Sequence, residues 1–286
     1  MTMLERRYTG PKPRTALPQG TVDTQTHLYL PGYPARPGGP PLPAGLPGPQ
    51  EYRRVMDWLG IARVVITQGN AHQHDNGNLL AALAAMGEVA RGVAVITGAT
   101  PDDEIARLHA AGIRGARIMD LPGGAVGLDA LEEVDARAAA AGWMLAVQFD
   151  GSDIAQHFGR LSRLRARWVL DHHGKFFRGA EPDGPEVALV KRLIDGGNCW
   201  FKFAGCYESS RTGGPEFVDT AALSRAIAAH ATERIVWGTN FPHNLAQRTE
   251  DYPDDAALLD TVLGWLPDEA ARQLVLVENP VELYGF

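Results

Sequence analysis

The residues with chemistry to offer fall in short polar clusters: Asp23-Thr-Gln25-Thr-His27, Gln68-Gly-Asn70 with His72 and His74 close behind, Arg117, Gln148 with Asp150, Asp171-His172-His173-Gly-Lys175, Lys202, and Asn240-Phe-Pro-His243. Imidazole titrates near neutral pH, so His27 and His172 are candidates to carry a proton between two oxygens. A guanidinium such as Arg117 matches a carboxylate with two parallel hydrogen bonds, and an ammonium such as Lys175 or Lys202 adds a point charge. The amides of Gln25, Asn70, Gln148 and Asn240 bond hydroxyls without changing charge. Only four of the 27 basic residues are lysines, and two of those four lie in these clusters.

Each cluster follows a short strand-like run, and the runs must position it. Eight such runs are predicted: around Val22, Val64 to Thr67, Val93 to Ile96, Gly115 to Met119, Met144 to Phe149, Trp168 to Asp171, Trp200 to Phe203 and Ile235 to Trp237. Amphipathic segments lie between them, near Pro101 to Ala111, Leu128 to Ala141, Glu186 to Asp195 and Thr220 to His230. Eight β-then-α units in 286 residues predict a single (β/α)₈ TIM barrel, whose ligand-facing polar residues sit at the carboxyl ends of the strands. Period-2 alternation predicts that Asp23, Gln25 and His27 share the lumen side. The domain is expected over 20–286, after an N-terminal extension over 1–19. The 31–49 segment carries eight prolines and can be neither helix nor strand. Following strand 1, it is expected over the barrel mouth, as a rigid surface loop or as a lid carrying Tyr29 or Tyr33.

Bulk properties narrow the partners. A net charge of −7 gives no broad basic field, which argues against nucleic acid and anionic membrane surfaces. No apolar run approaches the about 18 residues that would span a bilayer, and the start lacks a signal peptide's apolar core, so the expected location is cytoplasmic. Cys199 and Cys206 form no metal-like or disulfide pattern. The oligomeric state is left open. His109, His157 and His230 fall on predicted outer helices and are expected to be packing or solvated groups. His72 and His74, beside Asp75-Asn76-Gly77, are expected to be turn residues rather than a metal site.

The pattern Val22-Asp23-x-Gln25-x-His27, Asp171-His172-x-Gly, Trp200-Phe201-Lys202 and Trp237-Gly-Thr-Asn240-Phe-Pro-His243 resembles the amidohydrolase superfamily, in the branch of 2-pyrone-4,6-dicarboxylate lactonase. Longer stretches, such as Ile66-Thr-Gln-Gly-Asn-Ala-His72 and Asp171-His-His-Gly-Lys-Phe-Phe177, are similar to the lactone-isomerising members of that branch. The resemblance implies an amidohydrolase-like barrel acting on a carboxylated sugar-acid lactone. Two positions depart from the metal-dependent pattern. Gln25 stands where the first histidine of a His-x-His pair is usual, and Asn240 stands where an aspartate closes the strand-8 site. Amides are poor zinc ligands, so no metal and no other cofactor is expected.

An amide at 240 also cannot take a proton from water near neutral pH. Together with the resemblance, this implies intramolecular acyl transfer as the expected activity, D-galactaro-1,5-lactone becoming the 1,4-lactone through the substrate's own 4-hydroxyl. Metal-independent lactone hydrolysis, with His172 or Asp150 as the base, is the alternative; a non-catalytic sugar-acid binder and a zinc hydrolase are lesser ones. The catalytic residues expected are His27, His172 and Asn240. Gln25, Asn70, Arg117, Gln148, Lys175 and Lys202 are expected to bind substrate, with Arg117 on the free carboxylate. His27 could pass the proton or donate to the oxyanion beside Asn240 or Lys202. Asp23 and Asp171 are expected to orient the neighbouring histidines. Asn240→Asp is expected to introduce hydrolysis.

Overall fold

Eight parallel strands pair in sequence order in the structure, a computed structural model that describes residues 4–286. They are β1 (Val22–Thr26), β2 (Arg63–Thr67), β3 (Ala90–Ala94), β4 (Ile113–Met119), β5 (Met144–Gln148), β6 (Trp168–Leu170), β7 (Cys199–Phe203) and β8 (Ile235–Trp237). The end of β8 returns to β1. Thr26 and Phe241 form a parallel bridge, the Asn240 N–H donates to Gln25 O at 2.9 Å, and the His27 N–H donates to Phe241 O at 2.7 Å. Most strand residues are buried on both faces, which is why the runs read as continuous rather than alternating apolar stretches.

Burial divides the core into two layers. Val22, Val65, Val93, Met144, Ala146, Val169, Trp200 and Val236 point into the lumen, and Leu283 and Tyr284 join them. These last two belong to α11 (Asn279–Tyr284), which plugs the end where the strands start; Phe286 lies there under Arg63 and Arg91. The outer layer packs against α1 (Pro49–Leu59), α2 (Gly77–Met86), α3 (Asp102–Ala110), α4 (Leu131–Ala140), α5 (Ile154–Leu161), α6 (Pro185–Asp195), α8 (Val218–Ala231) and α9 (Asp255–Leu263). A single turn, α7 (Cys206–Ser209), follows β7, and α10 (Glu269–Gln273) precedes the plug. Among the described residues no helix is long and apolar enough to cross a membrane.

Two helix starts brace the strand ends. The Glu51 carboxylate accepts the Gly48 N–H at 3.0 Å and fixes the first turn of α1, which places Tyr52 against β1. Asp254 caps α9 by accepting the N–H groups of Ala256 and Ala257, and this sets Asp255 facing inward at 3% exposure.

Two expectations are corrected. The third strand is Ala90–Ala94 rather than Val93 to Ile96: Ala90, Arg91 and Gly92 carry no β-branched signal, yet they pair with Val64, Val65 and Ile66. Asp23 does not share a face with Gln25 and His27. The pairing register of β1 shifts between Asp23 and Thr26, which breaks strict alternation. Asp23 therefore turns to the outer layer, where it accepts from the Tyr52 phenol, the Gln25 and Thr239 N–H groups and the Thr239 hydroxyl. It braces β1 against β8 instead of orienting His27.

The 31–49 segment is tied to the connection after β2. The Arg36 N–H donates to Ala71 O at 2.7 Å, Arg36 Nε donates to Asp75 Oδ2 at 3.0 Å, and His72 Nε2 donates to Tyr33 O at 3.2 Å. Tyr29 is buried under it, its phenol oxygen accepting from Asn244 at 2.9 Å.

Candidate active site

Around the β1 end the polar groups form a directed chain. Lys202 Nζ donates to Gln25 Oε1 at 2.9 Å, and Gln25 Nε2 faces His27 Nε2 at 3.4 Å. His27 Nδ1 is 2.9 Å from Thr67 O, and a carbonyl only accepts, so Nδ1 carries the hydrogen. The remaining nitrogen, Nε2, is an acceptor met only by the long contact from Gln25 among the described residues. Burial, and then the charge of Arg117, pull the His27 pKa down to about 3, so the ring is neutral near pH 7. A neutral ring with its hydrogen on Thr67 has a lone pair at Nε2, which suits it to accept a proton rather than to donate to an oxyanion.

Arg117, on β4, is the hub of a second group. Its Nη1 donates to Gln68 O at 2.7 Å and to Asn70 Oδ1 at 2.9 Å, and its Nη2 donates to Gln148 Oε1 at 3.1 Å. Its Nε–H is buried with no acceptor among the described residues. The fork is thus held flat by β2 and β5 while one donor stays uncommitted.

The third group spans the ends of β6, β7 and β8. His172 Nε2 lies 3.1 Å from Asn240 Oδ1. Asn240 Nδ2 donates to the Tyr207 oxygen at 2.9 Å. It also donates to Glu208 Oε1 at 2.8 Å. Two acceptors on one side identify that end of the amide as the nitrogen. Glu208 Oε2 accepts from Lys175 Nζ at 2.6 Å. The Tyr207 hydroxyl lies 2.7 Å from His243 Nδ1, and His243 Nε2 lies 3.0 Å from Asp255 Oδ1. Burial, reinforced by Lys175, holds the His172 pKa well below its ordinary value. Burial and the nearby Glu208 push the Tyr207 phenol well above its own, so it stays protonated. Burial also acts to raise Glu208, but Lys175, His172 and the bond from Asn240 outweigh it and leave that carboxyl lowered and ionised.

Backbone strain marks two of these three strand ends, those of β6 and β8. His172, His173, Lys175, Asn240 and His243 all hold positive φ, a conformation costing about 1–3 kcal/mol per non-glycine residue and concentrated at functional sites. Gly205, just after β7, also has positive φ, but a glycine adopts it without that cost. Only glycine fits there, because an added Cβ would press on both Asn240 Nδ2 and His172 Cδ2.

The structure brings all nine expected residues to the carboxyl end of the barrel, but it redirects two of them. Lys202 is fully buried, with Nζ 2.8 Å from Asp171 Oδ1 as well as on Gln25, so its charge is met inside the protein rather than by a ligand. Asp171 accordingly holds Lys202 more closely than His172, whose Nδ1 is 3.9 Å away. Losing one partner of such a buried pair costs about 3–5 kcal/mol. Lys175 is likewise committed to Glu208. Asp150 caps the turn after β5 and pairs with exposed Arg178, which removes it as a base. His109 accepts from Trp143 Nε1, His157 packs edge-on to Phe149, and His230 pairs with Asp195, all on outer helices.

Tyr207, Glu208 and Asp255 were missed. Tyr207-Glu208 sits in a βα loop with no motif of its own, and Asp255 looks like any first-turn acid of a helix. The donor set does not fit a divalent cation of the family's usual kind. Gln25 Oε1 faces an ammonium, Asn240 Oδ1 faces an imidazole N–H, and the Asp171 carboxylate pairs with Lys202. Cations and N–H donors already hold these oxygens, Asp171 Oδ2 excepted.

Comparisons with known proteins bear on the chain as a whole. The amidohydrolase family profile matches residues 22–286. The D-galactarolactone isomerase of Agrobacterium fabrum is 62% identical over 285 residues, covering 99% of this chain and 97% of that one. A 2-pyrone-4,6-dicarboxylate hydrolase of Comamonas testosteroni is 31% identical over 296 residues, covering 97% and 94%. A ligand-free crystal structure from Agrobacterium tumefaciens superposes with a TM-score of 0.96 at 61% identity, covering 98% of this chain and 99% of that one. With fold and sequence in agreement over nearly its whole length, the chain belongs to the amidohydrolase family.

Proposed function

We propose that the protein isomerises D-galactaro-1,5-lactone to D-galactaro-1,4-lactone, without a metal, as a cytoplasmic step of uronate breakdown. The observation that carries this reading is the state of position 240: a neutral amide whose oxygen and both N–H groups are engaged by His172, Tyr207 and Glu208, so that it offers water no base. The 62% identity to an isomerase supports the same conclusion.

In this reading the substrate's O4 attacks the C1 carbonyl, the C1–O5 bond breaks, and the proton leaves O4 for His27 Nε2 and returns to O5. Atoms balance with no water consumed. An internal hydroxyl can act at an effective molarity of about 10⁵ M or more, which compensates for a weak base. His27 suits the task because its low pKa makes it return the proton readily. A substrate carboxylate beside Arg117 would offset the positive charge that adds to burial in holding that pKa down. Arg117 would supply the positive charge that faces that carboxylate, and the free amide hydrogens of Gln148 and Gln25 would face the carbonyl oxygen and the sugar hydroxyls. Asn70 keeps the guanidinium in place, and Lys202 and Lys175 act from behind Gln25 and Glu208.

Time-resolved NMR of the 1,5-lactone in H₂¹⁸O tests this directly. The expected result is 1,4-lactone appearing before any diacid and carrying no label. Labelled diacid as the first product would replace isomerisation with hydrolysis, the activity in the name of the Comamonas relative.

A further inference from the structure

Hydrogen-bond polarity runs one way through the β6–β8 cluster. Asp255 can only accept, so His243 Nε2, 3.0 Å away, carries its ring hydrogen. Asn240 Nδ2 can only donate, so the Tyr207 oxygen accepts from it and the phenol's own hydrogen goes to its other partner, His243 Nδ1, at 2.7 Å. With its hydrogen committed, the Tyr207 oxygen can only accept from position 240, and Glu208, an ionised carboxylate, can also only accept. Both therefore demand donors. His172 completes the set by placing an N–H against the remaining atom. A side chain with two donors and one acceptor is what the cluster requires, and an asparagine amide is that side chain.

We propose that Tyr207, held by His243 and Asp255, and Glu208, held by Lys175, are positioning residues that lock position 240 in a neutral, donating state. On this view the choice of a hydroxyl over water as nucleophile belongs to the whole cluster and not to Asn240 alone. The inference rests on the isomerase reading.

It revises what Asn240→Asp should do. A carboxyl introduced at 240 meets the Glu208 carboxylate, which now lies within hydrogen-bond distance of the amide nitrogen, and meets a phenol oxygen that has no hydrogen to give. Two carboxylates that close cannot both ionise, so the new group keeps a proton and donates it to Glu208, imitating the amide. The other groups facing it are His172, neutral with its hydrogen toward position 240, and Lys175, which lies behind Glu208. His243 and Asp255 stand behind Tyr207. None of them supplies a second donor to an ionised carboxylate. Glu208→Gln in the same chain moves the negative charge instead of adding one, and the new glutamine amide can donate to the carboxyl at 240.

The test measures hydrolysis of the 1,5-lactone from pH 6 to pH 8.5, corrected for the spontaneous reaction, in wild type, N240D and N240D/E208Q. At pH 7 N240D should hydrolyse within about threefold of wild type. Its rate should climb by up to about tenfold per pH unit as the shared proton is lost, as expected of a general base titrating above the assay pH. N240D/E208Q should exceed N240D at pH 7 by about tenfold or more, within the range a positioned base contributes. N240D hydrolysing as fast at pH 6 as at pH 8, or a folded double variant no faster than N240D, overturns the lock. If the double variant does not fold, the pH slope of N240D alone decides. Wild type producing only diacid would sink the isomerase reading, whereas a flat N240D profile beside an isomerising wild type sinks the lock alone.

Discussion

The two halves of the barrel mouth are built differently. On the β1–β5 side, His27 and Arg117 extend from strands or their immediate ends, and each leaves hydrogen-bonding capacity unspent, as His172 Nδ1 also does on the other side: His27 Nε2 has only a 3.4 Å contact, and buried Arg117 Nε has no acceptor among the described residues. On the β6–β8 side, six non-glycine residues hold positive φ, against Leu46 and Gln73 on the other, and the polar atoms of Asn240, Tyr207 and Glu208 are committed to one another or to Lys175, His172 and His243. The open half is suited to bind and to react. The closed half stores conformational strain and fixes a charge state.

The largest expected effect that separates the halves is on His27. Its replacement by glutamine should lower kcat by about 10²–10⁴, the usual contribution of a positioned base, with KM and the unfolding midpoint little changed. Steady-state kinetics with a denaturation curve on the same preparation checks both. A stability loss larger than the rate loss would show that the β1 side is as structural as the β6–β8 side. Next in size is Arg117→Lys, which keeps the charge but loses the fork and its bonds to Asn70 and Gln148. KM should rise by about 10- to 100-fold, in keeping with about 1.5–3 kcal/mol for hydrogen bonds to a charged group, while kcat falls less. A fall in kcat with KM unchanged would move Arg117 from the ligand to the transition state.

The same division explains what the sequence made legible. The β-branched runs, all but the third near their observed bounds, come from burial on both faces, which leaves a local signal. The strand-end rule then collected His27, Arg117, Gln148, His172 and Asn240 without any knowledge of contacts. What stayed hidden depends on long-range geometry. The register shift in β1 turns Asp23 outward, and no alternation rule registers a shift that arises from pairing with β2. Tyr207 and Asp255 are distant in the chain and are joined through His243. The commitment of Lys202 to Asp171 is likewise a matter of which side chains share the lumen, and a lone lysine on a strand looks the same whether it meets a ligand or a carboxylate.

The smallest effect bears on the closed half by itself. Gly205→Ala adds one methyl group, at a positive φ, into a space bounded by Asn240 and His172. Strain at such a residue and the forced shift of its neighbours together should cost about 1–3 kcal/mol, seen as a lower midpoint in urea unfolding. Because the methyl presses on the amide and not on Arg117 or Gln148, kcat should fall while KM holds. That split matters more than the size of the change: a rise in KM would mean that the two halves move together on binding. A variant as stable and as active as wild type would mean that the β6–β8 cluster can shift without consequence, and the contrast between an open and a closed half would not stand.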